Sequence, residues 1–128
     1  MPVLEVRALP QKPGVDRHAA LKRVCTELAG ALGERPSGTW GTWVELPPGA
    51  YVEGDDAPAV QPDSTHPPIV RVFAFEGRSP DLIEKMLTVV ADTLATALQV
   101  EPGNVFVVYE EGRSGRLYSG GSVVKKGG

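Results

Sequence analysis

The chain has 128 residues, with 13 Lys+Arg against 16 Asp+Glu and a formal net charge of −3. That length, with 41% hydrophobic residues, supports one globular core and excludes wholesale disorder, while weak acidity without a basic, aromatic-interleaved stripe argues against a nucleic-acid partner. The lone Cys25 excludes an internal disulfide framework and a multi-thiolate zinc site and points to a reducing, cytoplasmic setting. No apolar run approaches the ~20 residues that span a bilayer, and MPVLEVRALPQK lacks the pattern of an export signal, so no membrane is expected.

In chain order, Pro2 to Leu9 reads as a strand, with its proline at the opening position where a missing N–H does least harm. Leu21, Val24, Cys25, Leu28 and Leu32 then mark one face of a helix, with Asp16 as its N-cap. Thr39 to Leu46 reads as a second strand and Gly49 to Gly54 as a short hairpin segment. Residues 55 to 67, DDAPAVQPDSTHP, have no periodicity and several prolines, and are expected to form an exposed crossover linker. Pro68 to Phe75 repeats the first strand. Leu82, Met86, Val90, Leu94 and Leu98 repeat the helix, which Ser79, Pro80, Asp81 and Glu84 open as a capping pattern. Asn104 to Glu110 reads as the last long strand, and Leu117 to Val124 as a hairpin.

Sliding the sequence by 66 positions aligns the halves without a gap. Identical residues stand at 13 of the 53 positions from 2 to 54, on apolar and turn positions that a shared fold constrains. The expected architecture is α+β: two βαβ units, each with a right-handed crossover, forming a four-stranded sheet with both helices on one face. It is read as a single domain over 1–128, with repeat 1 at about 2–54, the linker at 55–67, repeat 2 at about 68–121 and a tail at 122–128. The other sheet face would be bare, and strands as apolar as Ile69 to Phe75 require a cover, which predicts oligomerisation.

The second half, with its EGRS turn (Glu76 to Ser79), the helix end Thr96-Ala97-Leu98 and the Gly120-Gly121 hairpin, resembles the short subunit of 4-oxalocrotonate tautomerase. The first half, beginning MPVLEV, looks like a diverged copy, and the whole is similar to the fused, double-length members of the tautomerase superfamily. That resemblance implies a homotrimer without cofactor, acting on a small enol or 2-oxo carboxylate. It implies that Pro2, freed by removal of Met1, is the general base, since a secondary amine in an apolar pocket near cations has a pKa close to neutral. Pro68 is not eligible, because its nitrogen is an amide to Pro67. The family's turn arginine falls on Arg78 and, by the 66-residue offset, on Lys12, which would hold a carboxylate. Its strand arginine falls on Phe106 and Trp40 and is missing from both halves, which favours a monocarboxylate over a dicarboxylate. The aromatic closing the family's pocket falls on Tyr51 and Leu117, and Phe106 and Trp40 complete the candidate pocket residues, Trp40 having core or trimer packing as its alternative.

Other residues keep alternative readings. Arg7 and Arg71, on predicted strands, face solvent, an interface or a ligand; interface is preferred for both, with Arg71 also a carboxylate-binding candidate. Arg78 alternatively pairs with Glu76 or Asp81. The EGRS-Asp-Leu stretch also resembles the cis-3-chloroacrylic acid dehalogenase branch, yet Leu28, Phe75 and an uncharged stretch around Tyr118 stand at that branch's extra histidine, arginine and water-activating acid. His18 and His66 form no metal site, and Cys25 reads as core. The alternatives to a tautomerase are a catalytically inactive trimeric binding or scaffold protein of the same fold, or a hydratase or dehalogenase of unsaturated acids.

Overall fold

Strand alternation and helix caps account for the main elements of the structure, a computed structural model that describes residues 1–127. In β1 (Val3–Ala8), Leu4, Val6 and Ala8 are fully buried, while Val3, Glu5 and Arg7 turn to the other face. Helix α1 (Arg17–Leu32) starts where the Asp16 carboxylate accepts the Ala19 N–H at 3.1 Å, and ends at Gly33, whose φ of 67° lets its own amide donate to the Gly30 carbonyl and that of Glu34 to the Ala29 carbonyl. β2 (Trp40–Glu45) follows a single 3₁₀ turn, Pro36–Gly38. β3 (Ile69–Phe75) buries Val70, Val72 and Ala74. Helix α2 (Pro80–Leu98) is capped by the Ser79 hydroxyl, which accepts the Leu82 N–H at 3.2 Å. β4 (Phe106–Gly112) leads to a small hairpin, β5 (Tyr118–Ser119) and β6 (Ser122–Val123), turned by Gly120 and Gly121 with φ of 65° and 90°. Among the described residues no helix is long and apolar enough to cross a membrane.

The four long strands form one sheet in the order β2-β1-β3-β4, with β1–β2 and β3–β4 parallel and β1–β3 antiparallel. Leu28 and Val24 of α1 and Met86, Val90 and Leu94 of α2 pack side by side on the buried strand residues. The expected α+β class, with both helices on one face, is what forms. Register makes the relation between the halves exact: Val3 stands beside Trp40 as Ile69 stands beside Phe106, 66 positions on. Across the antiparallel pair, Glu5 faces its own counterpart Arg71, so a pseudo-two-fold axis passes between them.

Three expectations need correction. Gly49 to Gly54 makes no hairpin strand pair; the chain there has only an isolated bridge between Glu53 and Asp56. Asn104 lies in a 3₁₀ turn, Pro102–Asn104, rather than in β4, since its side chain is spent on the linker. The linker itself is not wholly exposed: Gln61 and Pro67 are buried. The Asn104 amide donates to the Pro62 and Pro67 carbonyls at 3.1 Å each, and the Gln61 amide donates to the same two carbonyls. Two side-chain amides thus replace the water that those carbonyls would otherwise need.

One tight approach fixes α1 against β2. A Cβ at Gly41 would lie 2.7 Å from Cys25 Sγ and 2.8 Å from Leu21 Cδ1. Gly41→Ala is therefore expected to cost about 1–3 kcal/mol, the usual penalty of overpacking. Urea unfolding measures it, and a change inside about 0.5 kcal/mol, the range of ordinary surface substitutions, would contradict it. Burial at this contact also pushes the Cys25 thiol pKa up, which keeps the thiolate nucleophile scarce at neutral pH.

Candidate active site

Because β1 and β3 are antiparallel, Pro2, opening β1, lies beside the end of β3, and Pro68, opening β3, lies beside the end of β1. Each proline carbonyl accepts an edge-strand amide at 3.0 Å, Pro2 from Trp40 and Pro68 from Phe106. The sheet therefore has two ends of similar backbone, whose side chains differ in chemistry.

At the Pro2 end, the turn from β3 to α2 carries Arg78. Its Nη1 donates to the Phe75 carbonyl at 3.2 Å, its Nη2 lies 3.5 Å from Glu34 Oε1, and the side chain is 15% exposed. Glu34 arrives there because α1 runs back from the far end and stops at Gly33. The Tyr109 hydroxyl is buried and has no hydrogen-bond partner among the described residues. Burial raises its pKa; the nearby Arg78 guanidinium pulls the other way without a well-formed hydrogen bond, and Glu111 adds to the rise. Pro2 is buried, and Trp40, half exposed, turns its indole N–H to the Ser37 carbonyl at 3.2 Å. The segment after β4 folds over this end. The Ser114 N–H donates to Glu76 Oε2 at 3.2 Å, Lys126 Nζ lies 3.5 Å from Glu76 Oε1, and the Ser119 hydroxyl donates to Met1 Sδ at 3.4 Å. Leu117, partly buried, is in this segment. Met1 thus occupies the space between the Pro2 nitrogen and the hairpin.

At the Pro68 end stand Lys12, Tyr51 and Phe106. Lys12 Nζ donates to Asp63 Oδ1 and to the Gln99 carbonyl, each at 2.7 Å. Tyr51, on the segment leaving β2, donates to Glu53 Oε1 at 2.6 Å, and burial together with that carboxylate drives its pKa well up. Phe106, half exposed, has its ring 6.0 Å from that of His66. A groove of about 620 Å³ lined by Pro10, Gln11, Asp16, Arg17 and Glu45 flanks this end and includes neither Pro2 nor Arg78. Arg71 belongs to neither end: it sits mid-sheet on the helix-free face, 60% exposed, 3.4 Å from Glu110 Oε1.

The predicted residues thus divide. Pro2, Arg78, Trp40 and Leu117 share one end; Lys12, Tyr51 and Phe106 share the other. A joint clamp of Arg78 and Lys12 is not formed within one chain, because the pseudo-two-fold axis sends equivalent residues to opposite ends of the sheet. Glu34 and Tyr109 were not picked out in the sequence. The offset carried a signal for Tyr109, whose counterpart Trp43 is also a large aromatic with a buried, unpartnered polar atom. Glu34 had none, since its counterpart is Val100.

No protein-family model matches the sequence, and no curated protein matches it. Solved structures do. A fused 4-OT in an asymmetric trimer is 20% identical over 94% of each chain with a TM-score of 0.80. A crystal structure of a protein inactivated by 2-oxo-3-pentynoate is 14% identical, over 97% of this chain and 96% of that one, with a TM-score of 0.77. A member of the cis-3-chloroacrylic acid dehalogenase family is 20% identical, over 98% of this chain and 85% of that one, with a TM-score of 0.71. The chain has the fold of these fused 4-OT structures.

Proposed function

We propose that the protein is a cofactor-free tautomerase that ketonises small enol monocarboxylates such as phenylenolpyruvate, with Pro2 as proton carrier and Arg78 as carboxylate anchor. The observation that carries this reading is that Pro2 and the turn bearing Arg78 lie at the same end of the sheet, since β1 opens beside the end of β3. With Met1 removed, the Pro2 nitrogen is a secondary amine. It takes the enol hydroxyl proton and returns a proton to the neighbouring carbon as the C=O forms, so the substrate is isomerised with no net gain or loss. Arg78 gives the carboxylate a planar fork of donors and stabilises the enolate charge that develops. Proton carriage requires this amine as its free base at neutral pH.

The helix-free face supports a homotrimer. Trp40 is 50%, Phe106 49% and Val44 42% exposed there, an apolar surface that a monomer would leave in water. Similar structures are trimers of fused 4-OT. Sedimentation at micromolar concentration is expected to give a single species of three chains; a monomer would remove this cover. The single thiol supports a cytoplasmic location. A dehalogenase reading gains no support from Leu28, which is fully buried in the core.

The test combines intact mass with labelling. The protein is expected to lack Met1, to ketonise phenylenolpyruvate, and to take up one 2-oxo-3-pentynoate per chain on the Pro2 nitrogen. Retained Met1 would leave Pro2 an amide and defeat the mechanism. A processed chain that binds the carboxylate without turnover would establish the inactive binding protein instead.

A further inference from the structure

We propose that Lys12 forms a second carboxylate site, at the Pro68 end, which the chain keeps filled with its own Asp63, so that each chain offers external carboxylates one open cation end rather than two. The register of β1–β2 recurs 66 positions on in β3–β4, so the turns carrying Lys12 and Arg78 are equivalent. At one turn the Arg78 guanidinium donates to the Phe75 carbonyl at 3.2 Å and has a carboxylate, Glu34, at 3.5 Å; at the other, Lys12 Nζ holds the Asp63 carboxylate at 2.7 Å.

The contact has the marks of a seated ligand rather than of a core ion pair. Lys12 is 28% exposed and Asp63 is 78% exposed, so the carboxylate touches the ammonium from the water side. The other Lys12 partner is the Gln99 carbonyl, which orients the ammonium without neutralising it. The linker is held there by groups buried for that purpose. Gln61 is 5% and Asn104 1% exposed, and both donate to the carbonyls of Pro62 and Pro67, on either side of Asp63. Burying two amides is costly unless they are bonded, so these contacts specify where residues 62 to 67 run. The Glu101 N–H to the Asp63 carbonyl, at 3.2 Å, fixes the residue itself. An ammonium that accepts one carboxylate from its own chain accepts one from solution in the same place, and a monodentate point charge suits a small monocarboxylate.

A tethered carboxylate competes at an effective concentration in the millimolar range or higher. Asp63→Asn keeps the shape of the side chain and its backbone bond to Glu101 while removing the charge. The probe is benzoate, titrated into ¹⁵N-labelled full-length protein while the amides of Lys12 and Gln99 are followed. In the Asp63→Asn protein these amides are expected to saturate at benzoate concentrations on the order of tenfold lower than in the wild type. Adding Lys12→Met is expected to abolish the response. The Arg78 amide reports the other end, so binding there and the proposed catalysis are read separately. Equal responses in wild type and Asp63→Asn, or a response that survives Lys12→Met, would overturn the proposal.

Discussion

Pro2→Ala is expected to lower kcat for ketonisation of phenylenolpyruvate by about 10²–10⁴-fold, the usual worth of a positioned acid–base group, while KM changes little. The ring matters physically because it fixes the backbone at the nitrogen and makes the amine secondary, so that its lone pair is aimed rather than swung. The variant keeps the fold: the Pro2 contact within the sheet is made by its carbonyl, which accepts the Trp40 N–H at 3.0 Å and which alanine retains. The acidic limb of the wild-type kcat/KM profile should report the amine of the free enzyme and should move in the variant. Stopped-flow absorbance of the enol measures both quantities. A variant within about threefold of the wild type, well below the 10² expected of a general base, would show that another group carries the proton.

Much of the architecture was legible because the duplication wrote it twice. Leu28 and Leu94, or Val6 and Val72, stand 66 apart and are all fully buried in one core. The capping residues Asp16 and Ser79 signalled both helix starts, since a short side chain accepting a first-turn N–H is a local event. The linker is illegible in the sequence for the opposite reason. Its prolines and polar residues describe an exposed segment, whereas its carbonyls turn inward to two buried amides, Gln61 within it and Asn104 arriving from more than 35 residues away, as the hydrogen bond to Pro67 spans 37. The same Asn104 was drawn into β4 because a strand pattern follows it directly.

The site shows a subtler limit. The offset makes Lys12 the counterpart of Arg78, but equivalence under a duplication says nothing about proximity. Parallel association of the two halves would have set like beside like; the antiparallel β1–β3 pairing instead places Glu5 against Arg71 and sends each cation to its own end. Which cation lies at the Pro2 end is thus decided by strand direction, a long-range property that hydrophobic periodicity does not encode.

Arg78→Met is expected to raise KM for an enol carboxylate by about 10–100-fold, the loss of a charge-assisted hydrogen-bonded pair, with a smaller effect on kcat. The guanidinium is available for this duty because its present partners are weak competitors. Glu34 stands at 3.5 Å and 38% exposed, and an ion pair so exposed contributes ~1 kcal/mol or less. The Phe75 carbonyl takes only one of the five N–H groups, at 3.2 Å, which leaves donors for a substrate carboxylate. Arg78→Lys is expected to recover part of the loss, because the charge returns while the planar two-point contact does not. The ordering wild type, lysine, methionine in KM therefore separates charge from geometry. Lysine equal to wild type would make the site a simple electrostatic one. Methionine equal to wild type would move the carboxylate away from Arg78 altogether and leave Trp40 and the hairpin around Leu117 as the surfaces that hold the substrate.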